Sequence, residues 1–502
     1  MLTKKFNHIL QFNPLKSKDG IELRGRLDKI KFREFKKSSK TMQKIREAGL
    51  EKEIDDSIEV EANYKIKKIV GYGATSVVYK AYHVKDQAVD GVENDGQGRK
   101  DKEVVAIKKV KNVFESDIYS HRILREIRLL RILRGHKNIV KLKTVMRPSD
   151  PKNFNHLNLV SEYCTQNLMN VIRYNADQMN TDHIKYLTFE IMKGVLYIHS
   201  KGVIHRDLKP LNILVNENWD VKISDFGQSN VQIGKINENY NLTKYVTTRY
   251  YRAPELYLNY SSNYDTSVDM WSIGCTIAEL FSKKVFIRAG TTEEYLENLV
   301  ELLGLPDEAI QKEIRCQKYL QYMKDKAPSI KRKSLAEAIP NAPPEAIDLM
   351  EKLFTFDPKK RLTAKQVLQH PFLEELYDPE NDEQVVEGQP ISYYDFEFEQ
   401  YTINKDIIKE LILDEIIMAN SSEARNLNRE LKEMHKDGIL EKIYERQDSQ
   451  KQAEAAAAAV ASPSKSSPKD TPMTVTIPKQ PPIKATNPVD PQEPPESPTK
   501  KP

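Results

Sequence analysis

One octapeptide decides the fold of this 502-residue chain: His205-Arg206-Asp207-Leu208-Lys209-Pro210-Leu211-Asn212. Two short motifs follow it in order, Asp225-Phe226-Gly227 and then Ala253-Pro254-Glu255. Carboxylates, an ammonium group and a carboxamide at these spacings are the groups that position a phosphoryl group and neutralise its charge. Because chance assembly of three such motifs in this order is negligible, we expect one phosphoryl-transfer site.

Each polar residue of these motifs has an expected role. We expect Asp207 to accept a proton from the substrate hydroxyl group or to orient it, and Lys209 to place a positive charge beside the transferred phosphoryl group. Asn212 and Asp225 are the expected metal ligands, because Mg²⁺ binds few protein oxygens and keeps water and phosphate as its other ligands.

A glycine-rich segment and a lysine-bearing strand lie upstream of these motifs. Gly71-Tyr72-Gly73-Ala74-Thr75-Ser76-Val77-Val78 links two predicted strands, and its small residues allow backbone amides to approach phosphates. Val105-Ala106-Ile107-Lys108 follows about 30 residues later, and Glu126 stands on a predicted helix beyond it. A Lys108–Glu126 ion pair would aim the ammonium group at nucleotide phosphates.

The pattern of apolar residues changes along the chain. Strands are predicted at Tyr64–Val70, Val77–Ala81 and Val104–Val110, with a long loop from about Asp86 to Lys102 before the third. An amphipathic helix is predicted at Ile118–Leu133, where Ile123, Ile127 and Leu130 recur at helical spacing. After Thr181 the helical period dominates. The sequence therefore predicts an α+β fold in which a small β-rich lobe precedes a large α-helical lobe.

Composition excludes several classes of protein. The three cysteines, Cys164, Cys275 and Cys316, fit neither a disulfide framework nor a paired metal site. There is no apolar run of membrane-spanning length, and a net charge of +5 gives no general argument for nucleic-acid or membrane binding. We expect a reducing compartment, the cytoplasm, and leave open whether the protein enters the nucleus.

Taken together, these motifs resemble those of the mitogen-activated protein (MAP) kinases from about residue 64 to about residue 417. The segment Thr243-Lys244-Tyr245 through Ala253-Pro254-Glu255 is similar to the activation lip of that family. The resemblance implies the bilobal protein kinase fold and a serine/threonine kinase directed to sites followed by proline. It also implies ATP and Mg²⁺ as cofactors, and activation by phosphorylation of Thr243 and Tyr245.

The resemblance assigns further residues to the nucleotide and to the lip. It implies ATP contacts by Gly71, Gly73, Ser76, Val78, Ala106, Lys108, Ser161, Glu162 and Cys164. We expect each phosphate group on the lip to pair with arginines, because phosphorylation orders loops through such ion pairs. The implied arginines are Arg122, Arg125 and Arg206 for phosphorylated Thr243, and Arg249 and Arg252 for phosphorylated Tyr245.

Two features favour MAP kinases over cyclin-dependent-like kinases, some of which also carry Thr-X-Tyr. The first, the stretch from Tyr377 to Glu383, resembles the acidic docking site that binds basic peptides of partners, with Asp378, Asp382 and Glu383 as its acids. The second, from Phe396 to Ile417, has Ile407, Ile408, Leu411, Ile412 and Ile416 on one helical face. It is similar to the family's C-terminal extension, which packs against the small lobe. The implied partners are an upstream dual-specificity kinase, protein substrates, docking-motif partners and phosphatases.

Several positions depart from the family pattern, among them Leu211, which replaces a usually small or polar residue, and Ser76, which replaces the third glycine of the glycine-rich segment. Asn230 stands where an arginine of the phosphothreonine pocket is expected, which predicts fewer partners for that phosphate. Lys244 matches none of the best-known subfamilies, so the subfamily stays open. Ser161 is at the gatekeeper position of the adenine pocket, and so small a side chain predicts an enlarged pocket.

The predicted organisation comprises a basic N-terminal extension (1–63), a kinase domain (64–373, with lobes of about 64–163 and 164–373), a C-terminal extension with the docking site (374–420), a charged helical segment (421–460) and a disordered Pro/Ser/Lys-rich tail (461–502). Two alternatives remain, a cyclin-dependent-like kinase and a pseudokinase scaffold. The second is disfavoured, because pseudokinases usually lack at least one of the catalytic residues that are all present here.

Overall fold

The computed structural model describes residues 60–73, 75–84, 102–174, 179–232, 249–260, 265–378, 391, 396, 398–399 and 405–420, with only the backbone at 249. Residues 1–59 of the predicted N-terminal extension, the whole charged segment and the whole tail therefore lie outside the described residues, as does most of the long loop predicted at about 86–102.

A five-stranded antiparallel sheet builds the small lobe. Its strands are β1 (Tyr64–Tyr72), β2 (Ser76–Val84), β3 (Lys102–Lys111), β4 (Leu142–Val145) and β5 (His156–Glu162), in the order β1-β2-β3-β5-β4. Alternate residues of the strands face a small apolar core that includes Tyr79, Ile107 and Val160. This alternation is the period-2 pattern of a sheet with one buried face.

Helix α1 (Asp117–Ile132) lies between β3 and β4 and packs on the sheet. The Ser116 side chain accepts a hydrogen bond from the Tyr119 amide and caps the first turn. Ile123, Ile127 and Leu130, the predicted apolar face, are all buried. The helix carries Glu126 on the same buried side, so packing of α1 fixes the position of that carboxylate.

Helices dominate the large lobe, as the sequence predicts. They are α2 (Leu168–Tyr174), α3 (Thr181–Ser200), α4 (Pro254–Leu258), α5 (Ser267–Ser282), α6 (Thr292–Leu303), α7 (Glu308–Glu313), α8 (Gln317–Lys326), α9 (Leu335–Ala338), α10 (Pro344–Leu353) and α11 (Ala364–Leu368). Helix α5 is buried almost throughout, including Trp271. The α+β, two-lobed prediction is confirmed.

Five short strands lie between β5 and α4 in the chain. They are β6 (Gln166–Asn167), β7 (Val203–Ile204), β8 (Ile213–Val215), β9 (Val221–Ile223) and β10 (Asn230–Val231). Strands β6, β8 and β9 form one small sheet, and β7 pairs with β10. This framework holds the octapeptide between β7 and β8, and the Asp-Phe-Gly motif between β9 and β10.

Helix α12 (Lys405–Ala419), in the C-terminal extension, packs against α1 and β4 in the small lobe. Ile408, Ile412 and Ile416 of the predicted apolar face are buried, whereas Ile407 and Leu411 are half-buried at its margin. Across the described part of the chain, no helix is long and apolar enough to cross a membrane.

Candidate active site

Three charged side chains from different elements meet beside β3. The Lys108 ammonium nitrogen lies 2.5 Å from Glu126 Oε1 on α1 and 3.4 Å from Asp225 Oδ1. Burial alone would lower the pKa of Lys108, but the two carboxylates raise it above its ordinary value. The same ammonium group holds the pKa of Asp225 below its usual range, so both groups are charged at neutral pH.

The octapeptide forms a second cluster around Asp207. Lys209 Nζ donates to Asp207 Oδ2 at 2.6 Å, and Asn212 Nδ2 donates to the backbone oxygen and to Oδ2 of Asp207, both at 2.9 Å. Burial raises the pKa of Asp207, and Lys209 partly opposes that effect. The cluster presents a nearly buried carboxylate with its orientation fixed by two neighbours.

Asp269, on α5, fixes the backbone of the octapeptide from beneath. Its two carboxylate oxygens accept hydrogen bonds from the amides of His205 and Arg206, at 2.8 and 2.7 Å. His199 Nε2 lies 2.9 Å from the same carboxylate. Burial works against the charged form, but these hydrogen bonds outweigh it and lower the pKa of Asp269.

Two residues here adopt the left-handed backbone conformation, Arg206 (φ 64°) and Asp225 (φ 66°). Such conformations are costly for residues other than glycine and are found where the surroundings enforce them, often at active sites. Around them, the Asp269 carboxylate binds the Arg206 amide, and the Phe226 ring is fully buried 5.0 Å from the His205 ring. The Asp225 side chain is thereby turned toward Lys108.

Asn212 and Asp225 fit a magnesium ion as far as their donor chemistry is concerned. Asn212 uses its amide hydrogens on Asp207, which leaves its carbonyl oxygen to act as an acceptor. Asp225 offers a carboxylate of lowered pKa. Hard oxygen donors in this small number are what Mg²⁺ takes from proteins when it shares its shell with phosphate and water.

The glycine-rich hairpin joins β1 and β2 at one edge of the five-stranded sheet. Gly71 is opposite Val78 in the β1–β2 register, and the Gly73 amide donates to Ser76 O at 2.8 Å. A Cβ added to Gly73 would lie only 2.7 Å from Ser76 Oγ. A side chain at position 73 would therefore require the Ser76 hydroxyl group to rotate away.

The predicted adenine-side residues follow from the register of β3 and β5. Ala106 is opposite Ser161, and the chain continues from there through Glu162 to Cys164. Glu162 accepts a hydrogen bond from the Lys141 amide at 2.7 Å and lies 3.1 Å from Lys222 Nζ, so its side chain is engaged in holding this segment.

The predicted lip arginines differ in their surroundings. The pKa of Arg122 is lowered by burial and by the charges of Arg125 and Arg206, which places three guanidinium groups near one another. Among the described residues, the buried Nη2 of Arg122 has no hydrogen-bond partner. Arg206 Nε donates to Gln228 O at 2.5 Å, whereas Arg125 is paired with Glu399 of the C-terminal extension.

Several predicted residues cannot be placed beside these arginines. Thr243, Tyr245, Asp382 and Glu383 lie outside the described residues, as does the side chain of Arg249. Arg252 lies over the Tyr257 ring, 5.1 Å from its centroid, and Asp378 is half-buried just after a 3-10 turn at Glu374–Leu376. The predicted roles of these residues stay predictions.

Two carboxylates of the extension have a role that the sequence reasoning missed. Glu415, almost fully buried on α12, accepts from Arg128 Nε at 2.6 Å and from Arg131 Nε at 2.7 Å. Glu399 pairs with Arg125, so all three of these α1 arginines are held by the extension. The sequence feature that indicates a buried ion pair here is Glu415 itself, a glutamate within the apolar face of the predicted extension helix.

Comparison with known proteins agrees with this geometry. The protein kinase domain family matches residues 64–373. Among similar proteins, the mitogen-activated protein kinase homolog MMK2 of Medicago sativa is 38% identical over 319 residues, covering 64% of this chain and 82% of that protein. Mitogen-activated protein kinase 3 of Arabidopsis thaliana is 39% identical over 318 residues, covering 63% and 82%.

Proposed function

The chain is a serine/threonine protein kinase of the mitogen-activated protein kinase family, and on that premise we propose that it phosphorylates serine or threonine followed by proline after phosphorylation of Thr243 and Tyr245. The convergence of Lys108, Glu126 and Asp225 carries the catalytic part of this proposal. That ion-pair arrangement is the one a kinase needs in order to hold nucleotide phosphates.

In the proposed reaction, the substrate hydroxyl oxygen forms a bond to the γ-phosphorus of ATP while the bond from that phosphorus to the β-γ bridging oxygen breaks. Asp207 orients the hydroxyl group and receives its proton, and ADP leaves with the electron pair of the broken bond. Lys209, 2.6 Å from Asp207, places its charge beside the transferred group. Lys108 holds the nucleotide phosphates, and Glu126 holds Lys108.

Mg²⁺, held by Asn212 and Asp225, would neutralise charge on the phosphate oxygens. The low pKa of Asp225 supports this role, because a carboxylate must be ionised to bind the metal. Asn212 contributes a second oxygen and also holds Asp207. One side chain thus links the metal site to the residue that orients the substrate.

The activation switch is supported by the cationic group around Arg122. A phosphate brings about −1.5 to −2 charge and three acceptor oxygens, which suits the buried Arg122 nitrogen that has no partner among the described residues and lies near Arg206. Arg125 is paired with Glu399, and Asn230 replaces the arginine expected nearby. We propose that the Thr243 phosphate is held chiefly by Arg122 and Arg206.

The proposed partners are an upstream dual-specificity kinase, protein substrates, docking-motif proteins and phosphatases. Basic docking peptides would bind the acidic turn of Asp378, Asp382 and Glu383. The proposed compartment is the cytoplasm, with the nucleus left open. In the proposed organisation, the kinase domain lies between the basic N-terminal extension and the C-terminal extension, charged segment and tail. A pseudokinase role is disfavoured, because the catalytic side chains are present and mutually oriented.

Transfer of labelled phosphate from ATP to a Ser-Pro peptide tests the catalytic roles. Wild-type protein phosphorylated on the lip should label the peptide, and Asp207→Asn should abolish the labelling. Asp325→Asn, at an exposed carboxylate on α8, is the matched control and should retain full activity. Equal labelling by wild type and Asp207→Asn would refute the proposed role.

A further inference from the structure

A cavity of about 470 Å³ opens where the C-terminal extension meets the small lobe, outside the active site. Its walls come from the loop between β3 and α1, the loop before β5 and the first turns of α12. Ligand pockets commonly have volumes of about 300–1,000 Å³, so this one is large enough for a side chain and its neighbours. We call it the extension pocket; its lining includes Asn112, Phe114, Glu115, Asn155, Lys405 and Lys409, with Asn153 and Phe154 beside them.

Two lysines of α12 converge on one aromatic ring of the pocket. The Nζ atoms of Lys405 and Lys409 are each 5.5 Å from the Phe114 ring centroid, which brings both charges to the same wall. Lys409 Nζ donates to the Lys152 carbonyl oxygen at 2.8 Å, which fixes its position. Within the described residues, neither lysine forms an ion pair with a carboxylate.

Carboxamides and aromatic rings complete the walls. Asn112, Asn153 and Asn155 line the pocket, and each carboxamide has two donor hydrogens. Asn153 uses one of them on Asp150, and Asn155 uses one on Asn112, so the remaining hydrogens are the ones that can donate to an anion. Phe114 packs edge-on against Phe154, with ring centroids 5.2 Å apart, and forms an apolar floor. Glu115 is the one carboxylate among the described lining residues. Its single negative charge is outweighed by the two ammonium groups of Lys405 and Lys409, so the pocket carries a net positive charge.

We propose that the extension pocket binds a phosphorylated serine or threonine side chain of a partner protein. Two lysines match the charge of a phosphate dianion, and lysine binds phosphate well as a point charge. A single phosphate ion is far smaller than the cavity, whereas a phosphorylated residue with its flanking backbone also reaches the apolar floor. The Glu115 carboxylate repels the phosphate group, so loss of its negative charge should increase the affinity for the ligand.

Fluorescence anisotropy with a labelled Gly-Gly-phosphoserine-Gly-Gly peptide, measured on the full chain without ATP, tests the proposal. Loss of both lysines in Lys405→Ala/Lys409→Ala should weaken binding about tenfold or more, because charge-assisted contacts are lost. Lys405 is exposed, so Lys405→Ala serves as a second variant that preserves the fold and should weaken binding by a smaller factor. Glu115→Gln should tighten binding.

Two controls distinguish this pocket from other cationic surfaces. Lys324→Ala, at an exposed lysine on α8, should bind the peptide as wild type does. Arg122→Ala should also bind it unchanged, and loss of binding there would place the peptide at the lip arginines and overturn the proposal. Equal affinity for the unphosphorylated peptide, or no loss in the double variant, would overturn it too. Because the readout is binding without ATP, these results are independent of the proposed catalytic function.

Discussion

Replacing Glu255 by glutamine should lower the free energy of unfolding by about 3–5 kcal/mol, although the new side chain has nearly the same shape. Glu255 follows the activation lip and receives two hydrogen bonds of 2.6 Å from Arg361, one to each carboxylate oxygen. The side chains of Arg361 and Glu255 are 0% and 1% exposed. The variant would leave a guanidinium charge buried without a counter-charge.

The expected magnitude follows from what remains around Arg361. Burial favours loss of its charge, but Glu255 raises the pKa of Arg361, so the group stays charged. Hydrogen bonds to the carbonyl oxygens of Thr355 and Ser267 persist and place the cost toward the lower end of the range. For a domain of about 300 residues, 3–5 kcal/mol corresponds to a fall in Tm of roughly 5–8 °C.

Thermal and urea unfolding, followed by tryptophan fluorescence, measure this effect. The matched control is Lys360→Ala, next in the chain, which removes an exposed ion pair to Asp307 and should cost less than about 1 kcal/mol. In the double variant Glu255→Leu/Arg361→Met, both charges are absent and much of the stability should return. A Glu255→Gln protein as stable as wild type would refute the reasoning, and so would a double variant less stable than the single one.

Three further predictions follow from other contacts. Glu415→Gln should lower the free energy of unfolding by about 2 kcal/mol and lower kcat, because Arg128 and Arg131 lose their charged partner on the helix that carries Glu126; unchanged urea midpoint and kcat would contradict this. Ser161→Met should weaken inhibition by a bulky purine analogue about tenfold, whereas equal inhibition of the two proteins would exclude an enlarged adenine pocket. Burial lowers the pKa of His136 from 6.5 to about 3, so the unfolded chain binds the proton first and stability falls from pH 6.5 downward. Urea unfolding at pH 7 and 5 should show a loss smaller by about 2 kcal/mol in His136→Phe, and an equal loss would contradict the assignment.

The sequence predicts well which of the motif side chains lie together, because phosphoryl-transfer chemistry admits few alternative groupings of these residue types. Asp207, Lys209 and Asn212 are close in the chain, and their cluster forms through local geometry. Lys108 and Asp225 are 117 residues apart, yet their residue types and the motifs around them are enough to predict that they share one site. The strands and α1 follow from apolar periods of 2 and 3.6 residues.

The contacts of the C-terminal extension could not be predicted in the same way. Arg131 and Glu415 are 284 residues apart, and neither belongs to a motif with a defined chemical role. The apolar face of α12 predicts that the helix packs, but Glu415 interrupts that face and gives no sign of its partners. The extension pocket likewise depends on how two loops and a helix meet, which no local pattern specifies.

The most direct test of the central claim is the ratio of kcat/KM for a Ser-Pro peptide to that for the matched Ser-Ala peptide, measured before and after lip phosphorylation. Mass spectrometry would establish that Thr243 and Tyr245 both carry phosphate in the second sample. We predict a large rise in activity on double phosphorylation and a strong preference for the Ser-Pro peptide. Equal activity in the two samples, or no preference for proline, would contradict the account.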